Sequence, residues 1–142
     1  MCDSACGGSA AQAGGVERHD PAPRAAVTRA VGAYGERMAV RHLQGRGLDV
    51  LATNWRCPAG EIDIVAVDGR CLVVVEVKTR RTADFGLPVE QVPWRKLARL
   101  RRLAAMWLAL NPGPYDDIRV DIVGVLRPRS GPGIVDHLVG VL

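Results

Sequence analysis

The stretch GEIDIVAVDGRCLVVVEVK, residues 60–78, decides the fold. Two runs rich in Val and Ile, residues 61–67 and 71–78, flank the dipeptide Asp68-Gly69. An Asp-Gly pair between apolar runs is a strong signal for a two-residue hairpin turn. We therefore predict two adjacent antiparallel strands joined by this turn.

The turn sets which side chains share a face of the hairpin. If Asp68-Gly69 is the loop, Val67 pairs with Arg70, and Asp63 becomes a diagonal neighbour of Glu76. Side chains two apart on a strand, or opposed across strands, project from the same face. One face would then carry four charged side chains: Glu61, Asp63, Glu76 and Lys78. The other would carry an apolar set that must lie against a core: Ile62, Ile64, Ala66, Val73, Val75 and Val77.

The charged face favours a metal-dependent chemistry on phosphate esters. Buried carboxylates are costly unless they are paired or bind a cation, and Lys78 can neutralise only Glu76. Carboxylate oxygens suit Mg²⁺ or Mn²⁺. Such a cation polarises a phosphoryl oxygen and generates hydroxide at neutral pH, while Lys78 would orient the attacking water or stabilise the developing charge.

The flanking sequence predicts an α/β fold in the order α-β-β-β-α-β, with a mixed sheet flanked by helices. Helical spacing of apolar residues marks residues 25–44 and 88–110, the latter with an alternative start at Pro93. Strand patterns add residues 49–55 and 118–126 to the hairpin, and residues 134–141 fit a fifth strand.

Glu36 lies at the border of the apolar stripe of the first predicted helix. Two interpretations are open for this carboxylate. It pairs with a surface base such as Arg37 or Arg41, or it points toward the acidic face of the hairpin.

Charge is concentrated directly after the hairpin. The chain has 142 residues, 48% of them hydrophobic, and a net charge of +4, which fits one domain with a substantial core. Residues 78–102 hold eight basic and two acidic side chains. Alone, this run indicates a solvated helix face. Beside a carboxylate site it favours a phosphate-binding surface, with four candidate DNA contacts: Arg80, Arg95, Lys96 and Arg99.

Other functional classes find no support in the sequence. Residues 1–26 are rich in Gly, Ala and Ser, which predicts a disordered tail before one domain at 27–142. The N-terminus lacks the features of a signal peptide, and no apolar run suits a membrane span, so we expect a cytoplasmic protein without a membrane partner. No paired CxxC zinc spacing, phosphate-binding loop or dinucleotide fingerprint occurs.

Several motifs together resemble a known family. They are Gly32-x-x-Gly35-Glu36, Asn54-Trp55-Arg56-Cys57, residues 60–66, residues 75–80 and Arg119-x-Asp121. In this order they resemble the bacterial YraN-like family, an uncharacterised family whose members are classed as candidate endonucleases. That family is similar to the archaeal Holliday-junction resolvases of the PD-(D/E)XK superfamily. The resemblance covers about residues 30–125.

The resemblance implies a restriction-endonuclease-like fold and a PD-(D/E)XK nuclease-like domain at 27–142. It implies that Asp63, Glu76 and Lys78 form the metal and catalytic core and that Glu36 is a further acid near the metal, while the role of Glu61 stays open. The expected substrate is DNA, with branched forms or junctions included, and the dimeric resolvases suggest a homodimer.

Two alternatives to an active nuclease remain. The first is a module with the nuclease fold that binds nucleic acid or a protein partner without cutting. The second is a purely structural domain, which leaves the acids of the hairpin unexplained.

Overall fold

The computed structural model describes residues 23–81 and 92–142, with side chains from residue 26 onward. In these ranges, two helices and five strands follow one another in the predicted order. They are α1 (Pro23–Gly45), β1 (Asp49–Cys57), β2 (Gly60–Asp68), β3 (Cys71–Arg80), α2 (Trp94–Leu110), β4 (Asp117–Leu126) and β5 (Ile134–Leu138). The fold is the predicted α/β arrangement of a mixed sheet and flanking helices, consistent with a restriction-endonuclease-like fold.

The five strands form one sheet in the order β1-β2-β3-β4-β5. Only β3 and β4 run parallel; every other neighbouring pair is antiparallel. A parallel pair needs a crossover connection, and here the crossover contains α2. The two helices cover opposite faces of the sheet, so β3 is buried on both sides.

Each face of the sheet has its own apolar core. On the α2 side, the core includes Ile62, Val65, Leu72, Val74, Leu97, Leu100, Leu103, Trp107, Val120 and Ile122. On the α1 side, it includes Ala39, Leu43, Leu48, Ile64, Ala66, Val73, Val75, Val123 and Val125. Both cores are almost entirely aliphatic, as the low aromatic content predicts.

The boundaries of the helices differ from the predicted ones at two places. The second helix begins at Trp94, directly after Pro93 with φ −69°, the alternative start. Pro93 has no N–H to donate and its fixed φ suits a helix start. The helix α1 begins at Pro23, within the last residues of the predicted tail. The rest of that tail and residues 82–91 lie outside the described ranges. Neither α1 nor α2 has an apolar stretch long enough to cross a bilayer.

The predicted hairpin register is wrong by two positions. Asp68 pairs with Cys71, so Gly69 and Arg70 form the turn instead of Asp68 and Gly69. Gly69 has φ 60°, whereas Arg70 does not take a positive φ. This is the pattern of a type II′ turn, which places Gly at the first central position. Because side chains alternate between faces with a period of two, this shift changes the cross-strand partner of each residue but does not move its side chain to the other face of the sheet.

The corrected register places Asp63 and Glu76 directly beyond the paired part of the hairpin. Pairing between β2 and β3 ends at Ile64 and Val75. Asp63 and Glu76 are the next residues on each strand, so they lie level with each other where the two strands separate. The diagonal arrangement predicted from the sequence is replaced by a direct one.

Strict alternation along β2 also fails. Ile62 and Val65 both lie in the α2-side core, although an odd spacing should place them on opposite faces. The predicted grouping of Ile62 with Ile64 on one face is therefore wrong. The neighbouring β1 is irregular at the same level, since Asn54 takes a left-handed φ of 52°. The break falls at Asp63, which therefore reaches both sides of the sheet.

The fifth strand is shorter than predicted and ends at Leu138. Beyond it, Gly140 has φ 66°, and its N–H donates to the Asp121 carboxylate at 2.9 Å. The chain then returns to β4 through a hydrogen bond from the Val141 N–H to the Val120 carbonyl oxygen. The left-handed conformation of Gly140 thus lies just beyond the end of β5, where its N–H donates a hydrogen bond to the buried Asp121 carboxylate.

Candidate active site

Asp63 lies at the centre of the candidate site. Its Oδ2 accepts a hydrogen bond of 2.8 Å from the Val77 backbone N–H, in place of the ladder partner that β2 no longer supplies. The pKa of Asp63 is raised to about 7, first by burial and then by the charge of Glu76, and the hydrogen bond from Val77 offsets only part of this rise. Glu36 and Glu61 contribute in the same direction. Asp63 is therefore a partly buried acid with several like charges around it, although the Lys96 ammonium also lies within electrostatic reach.

Glu76 is a buried carboxylate, 6% exposed, at the end of the apolar row of β3 on the α2 side. It forms an ion pair with Lys96, from the first turn of α2. Burial lowers the pKa of Lys96, but the hydrogen bond and charge of Glu76, together with Asp63, outweigh it and raise that pKa overall. Lys96 is therefore the counter-ion of Glu76.

Lys78 follows Glu76 on the same side of β3. The pKa of Lys78 is lowered, first by burial and then by the charge of Lys96, despite the opposing charge of Glu76. The amines of Lys78 and Lys96 therefore lie close enough for each to affect the other's pKa. The expectation that Lys78 neutralises Glu76 is thus corrected, because Lys96 forms the ion pair with Glu76. Lys78 is the lysine whose pKa is lowered.

Glu36 approaches the hairpin from α1. Asn54 donates a hydrogen bond of 3.0 Å to its Oε2, and the charge of Glu36 helps to raise the pKa of Asp63. The close approach depends on Gly35, because a Cβ there would lie 1.8 Å from the Thr79 Oγ1. Of the two interpretations left open by the sequence, the one that directs Glu36 toward the hairpin fits these contacts.

Glu61 is the most exposed of the predicted acids. It forms an ion pair of 3.3 Å with Arg56 of β1, and both side chains are largely in solvent. Its charge still raises the pKa of Asp63. The structure thus brings Glu36, Glu61 and Glu76 around Asp63, and it places Lys78 beside Glu76.

Two cavities meet at Asp63, one on each side of the sheet. The cavity on the α1 side has a volume of about 730 Å³, and its lining includes Val31, Glu36, Val77 and Arg80. The cavity on the α2 side has a volume of about 770 Å³, and its lining includes Glu61, Glu76, Arg95, Lys96 and Arg99. The predicted basic surface is therefore divided, because Arg80 lies apart from the three basic residues of α2.

The carboxylate oxygens of the site are the type of ligand that a hard divalent cation such as Mg²⁺ or Mn²⁺ prefers. In the described ranges, no three His, Cys, Asp or Glu side chains lie close enough to share one ion. The neighbouring acids nevertheless add to burial in disfavouring the negative charge of Asp63, which its raised pKa reflects. A bound cation would relieve that charge, provided that Glu76 releases Lys96. Asp63, Glu76 and Glu36 are the predicted ligands, and their side chains would have to move together to share one ion.

A second cluster around Asp121 was not among the predicted site residues. Asp121 is fully buried and accepts four hydrogen bonds: 2.9 and 3.1 Å from Arg119, 2.9 Å from His137 and 2.9 Å from the Gly140 N–H. The other ring nitrogen of His137 lies 3.1 Å from His42 of α1. An acid within the apolar strand pattern of residues 118–126 was the available signal for this cluster.

Comparison with known proteins identifies the family. The sequence model of the uncharacterised protein family UPF0102 matches residues 35–125. The chain belongs to this family. The matched range contains every predicted catalytic residue as well as Lys96 and Asp121, whereas His137 lies beyond it. The predicted resemblance is confirmed at the level of the family.

Similar UPF0102 proteins occur in several bacteria. The chain is 53% identical over 117 residues to a UPF0102 protein of Nocardioides sp., covering 82% of this chain and 94% of the relative. It is 57% identical over 112 residues to one of Beutenbergia cavernae, covering 79% and 95%. It is 52% identical over 114 residues to one of Streptomyces coelicolor, covering 79% and 88%. The names of these relatives give the family and state no activity.

Proposed function

We propose that this UPF0102 protein is a metal-dependent endonuclease that hydrolyses phosphodiester bonds in DNA with Mg²⁺ or Mn²⁺. One observation carries the proposal. Asp63 lies level with Glu76 where two cavities meet, and three neighbouring carboxylates raise its pKa to about 7 after the larger effect of burial. A purely structural role gives no reason to gather three further acids around a partly buried carboxylate.

The proposed division of labour follows from the contacts of each side chain. Asp63, Glu76 and Glu36 would hold the cation, which supplies Lewis-acid stabilisation of the charge on the phosphate. Lys78 would orient the attacking water or stabilise the charge that develops on the phosphate, as in the prediction from sequence. Because its pKa is lowered, Lys78 would give up a proton nearer to neutral pH than an ordinary lysine does.

Lys96 would exchange partners when DNA binds. In the free protein it is the counter-ion of Glu76. A phosphate at the α2-side cavity offers it another anionic partner, and its transfer would free Glu76 for the cation. Arg95 and Arg99 line the same cavity and would contact neighbouring phosphates. Binding of DNA and binding of the cation would then favour each other.

A cleavage assay with matched variants tests the proposal. Fluorescent linear duplex, single strand, flap and four-way junction would be incubated with Mg²⁺, Mn²⁺ or EDTA. The wild type is compared with Asp63→Asn and with Asp116→Asn, an exposed carboxylate beside the hairpin turn that pairs with Arg70. We expect cutting that requires the metal, is lost in Asp63→Asn and persists in Asp116→Asn.

Failure to cut any of these DNAs under any metal condition would reject the proposal. Cutting that survives Asp63→Asn would indicate a contaminating nuclease and would reject it as well. The pattern of cutting across the panel would also reveal whether branched DNA is preferred.

The ion pair between Lys96 and Glu76 favours a second candidate function. If that pair never opens, the acids cannot hold a metal, and the protein would bind nucleic acid or a protein partner without cutting. Junction or duplex binding that is unchanged by EDTA, with no cleavage, is the expected result for this candidate.

A further inference from the structure

The three tryptophans of the chain lie in contrasting environments. Trp107 is 6% exposed in the α2-side core, and Trp55 packs partly buried against the same core. Trp94 is 70% exposed. A single exposed apolar side chain is common on protein surfaces, so its position decides whether it has a function.

Trp94 stands at the rim of the cavity that contains Glu76. It is the first residue of α2 and lies between Pro93 and Arg95, both of which line that cavity, as does Lys96. Its large aromatic side chain is therefore exposed close to the proposed cutting site.

A row of cations extends from this rim along α2. Arg95, Arg99 and Arg102 are exposed and recur at intervals of four and three residues, which places them on one side of the helix. Arg99 donates to the Ala59 carbonyl oxygen at 2.6 Å. Within the described residues, none of the three arginines forms an ion pair with a carboxylate. The row therefore has no carboxylate that would compete with successive phosphates, and Arg99 alone would have to give up a carbonyl oxygen.

We propose that Trp94 stacks on an unpaired nucleobase, and that the protein selects DNA with a single-stranded segment beside the cleaved bond. This inference rests on the proposed function for the identity of the nucleic acid. Sites for single strands combine a cationic track for the backbone with an aromatic platform for the bases. Bases inside a duplex stack on one another, so an aromatic ring at the rim gains a stacking partner only where the strands are separated.

Binding measurements without cleavage test the inference. Fluorescein-labelled single strand, flap and blunt duplex would be titrated in EDTA with wild type, Trp94→Ala, Trp94→Phe and Met106→Ala. Met106 is an exposed apolar residue on the same helix, 43% exposed, and serves as the matched control. Melting temperatures of all variants would show that each is folded, as expected for substitutions at exposed positions.

We expect Trp94→Ala to weaken binding of single strand and flap by about 5- to 100-fold and to leave duplex binding within about twofold of wild type. Trp94→Phe should retain most of the affinity, because phenylalanine also stacks, and Met106→Ala should bind as wild type does. Single-stranded DNA should also quench the tryptophan emission, and Trp94→Phe should lose that quenching.

Three results would overturn the inference. These are single-strand binding unchanged in Trp94→Ala, an equal loss for duplex and single strand, and a change from dimer to monomer in Trp94→Ala, which would assign the ring to a contact between copies. Cutting with normal Trp94→Ala binding would overturn the inference and leave the proposed function intact. Loss of selective binding in Trp94→Ala without any cutting would support the inference and reject the endonuclease.

Discussion

Two buried carboxylates on adjacent parallel strands have opposite environments. Glu76 of β3 pairs with Ile122, and Asp121 of β4 pairs with Val75, so the acids lie one position apart on opposite faces of the sheet. Asp121 is fully buried with four hydrogen bonds, two of them from Arg119. Glu76 has the partly exposed side chain of Lys96 as its ion partner and a second acid, Asp63, beside it.

The difference between the two acids separates a structural role from a functional one. A buried carboxylate whose two oxygens both accept hydrogen bonds from fixed donors stabilises the fold, since removing the carboxylate leaves those donors without partners. A carboxylate with an exchangeable partner and a like charge nearby keeps the capacity to bind a cation. Burial alone does not distinguish them.

The largest effect is expected from Asp121→Asn. The substitution leaves the guanidinium of Arg119 without its buried counter-charge and should lower the free energy of unfolding by about 3–5 kcal/mol. Denaturant unfolding of the purified variant measures this loss. The control, Asp116→Asn, removes an exposed partner of Arg70 and should change stability little. Equal stability of Asp121→Asn and wild type would contradict the structural role.

Asp63→Asn should have the opposite effect on stability. The folded pKa of about 7 exceeds the ordinary value of 3.8, so the folded state binds the proton more tightly than the unfolded state. Wild-type stability attributable to Asp63 therefore falls as pH rises from about 4 to 7, with the full penalty above 7. The variant should gain up to about 4 kcal/mol at pH 8 and nothing at pH 3. Denaturant unfolding at both pH values, compared with wild type, measures the gain.

A destabilised Asp63→Asn at pH 8 would place Asp63 in the same structural class as Asp121. Saturating Mg²⁺ offers a further test, because a cation at the site should reduce the advantage of the variant. It should leave the effect of Asp121→Asn unchanged.

Gly35→Ala should disturb the packing of α1, the helix that carries Glu36 near Asp63 and His42 beside His137. A Cβ at residue 35 would lie 1.8 Å from the Thr79 Oγ1 and 2.9 Å from its Cβ, so α1 must move away from β3. We expect a loss of about 1–3 kcal/mol in thermal or denaturant unfolding. Gly32→Ala is the matched control, because a Cβ there meets nothing within 4 Å, and it should be neutral or gain about 0.5–1 kcal/mol. Similar results for both variants would contradict the close packing of α1 on β3.

The smallest effect is expected for Lys96→Met in the absence of DNA. Removal of the counter-ion of Glu76 should tighten Mn²⁺ binding by about three- to tenfold, because the cation no longer competes with an ammonium group. Isothermal titration calorimetry measures the affinity, and Arg101→Met, at an exposed position of the same helix, is the control. Weaker Mn²⁺ binding in Lys96→Met would show that Lys96 supports the metal site instead of competing with it.

Much of the fold could be predicted because its signals are local. The Gly and Asp of the hairpin turn, the alternation of Val and Ile, and the helical spacing of leucines each depend on residues a few positions apart. Even with the wrong turn residues, the hairpin still brought Asp63 and Glu76 together, since a shift of two positions preserves the faces of the regularly paired residues 64–68 and 71–75.

The site itself could be predicted only in part. The acids were found because they lie on one hairpin, but the broken alternation at Asp63 depends on a left-handed residue, Asn54, in another strand. The partner of Glu76 lies 20 residues away on α2, and the buried bonds of Asp121 reach His137 on β5. Such contacts depend on how separate elements pack, which periodicity does not encode.

The sequence by itself therefore determined the family, the order of the elements and the identity of the acids on the hairpin. Only the tertiary structure decided which acids share an environment and which cations they meet. The physical reason is the range of the interactions: backbone preferences act between neighbours, whereas burial and charge act between side chains that the packed sheet and helices bring together.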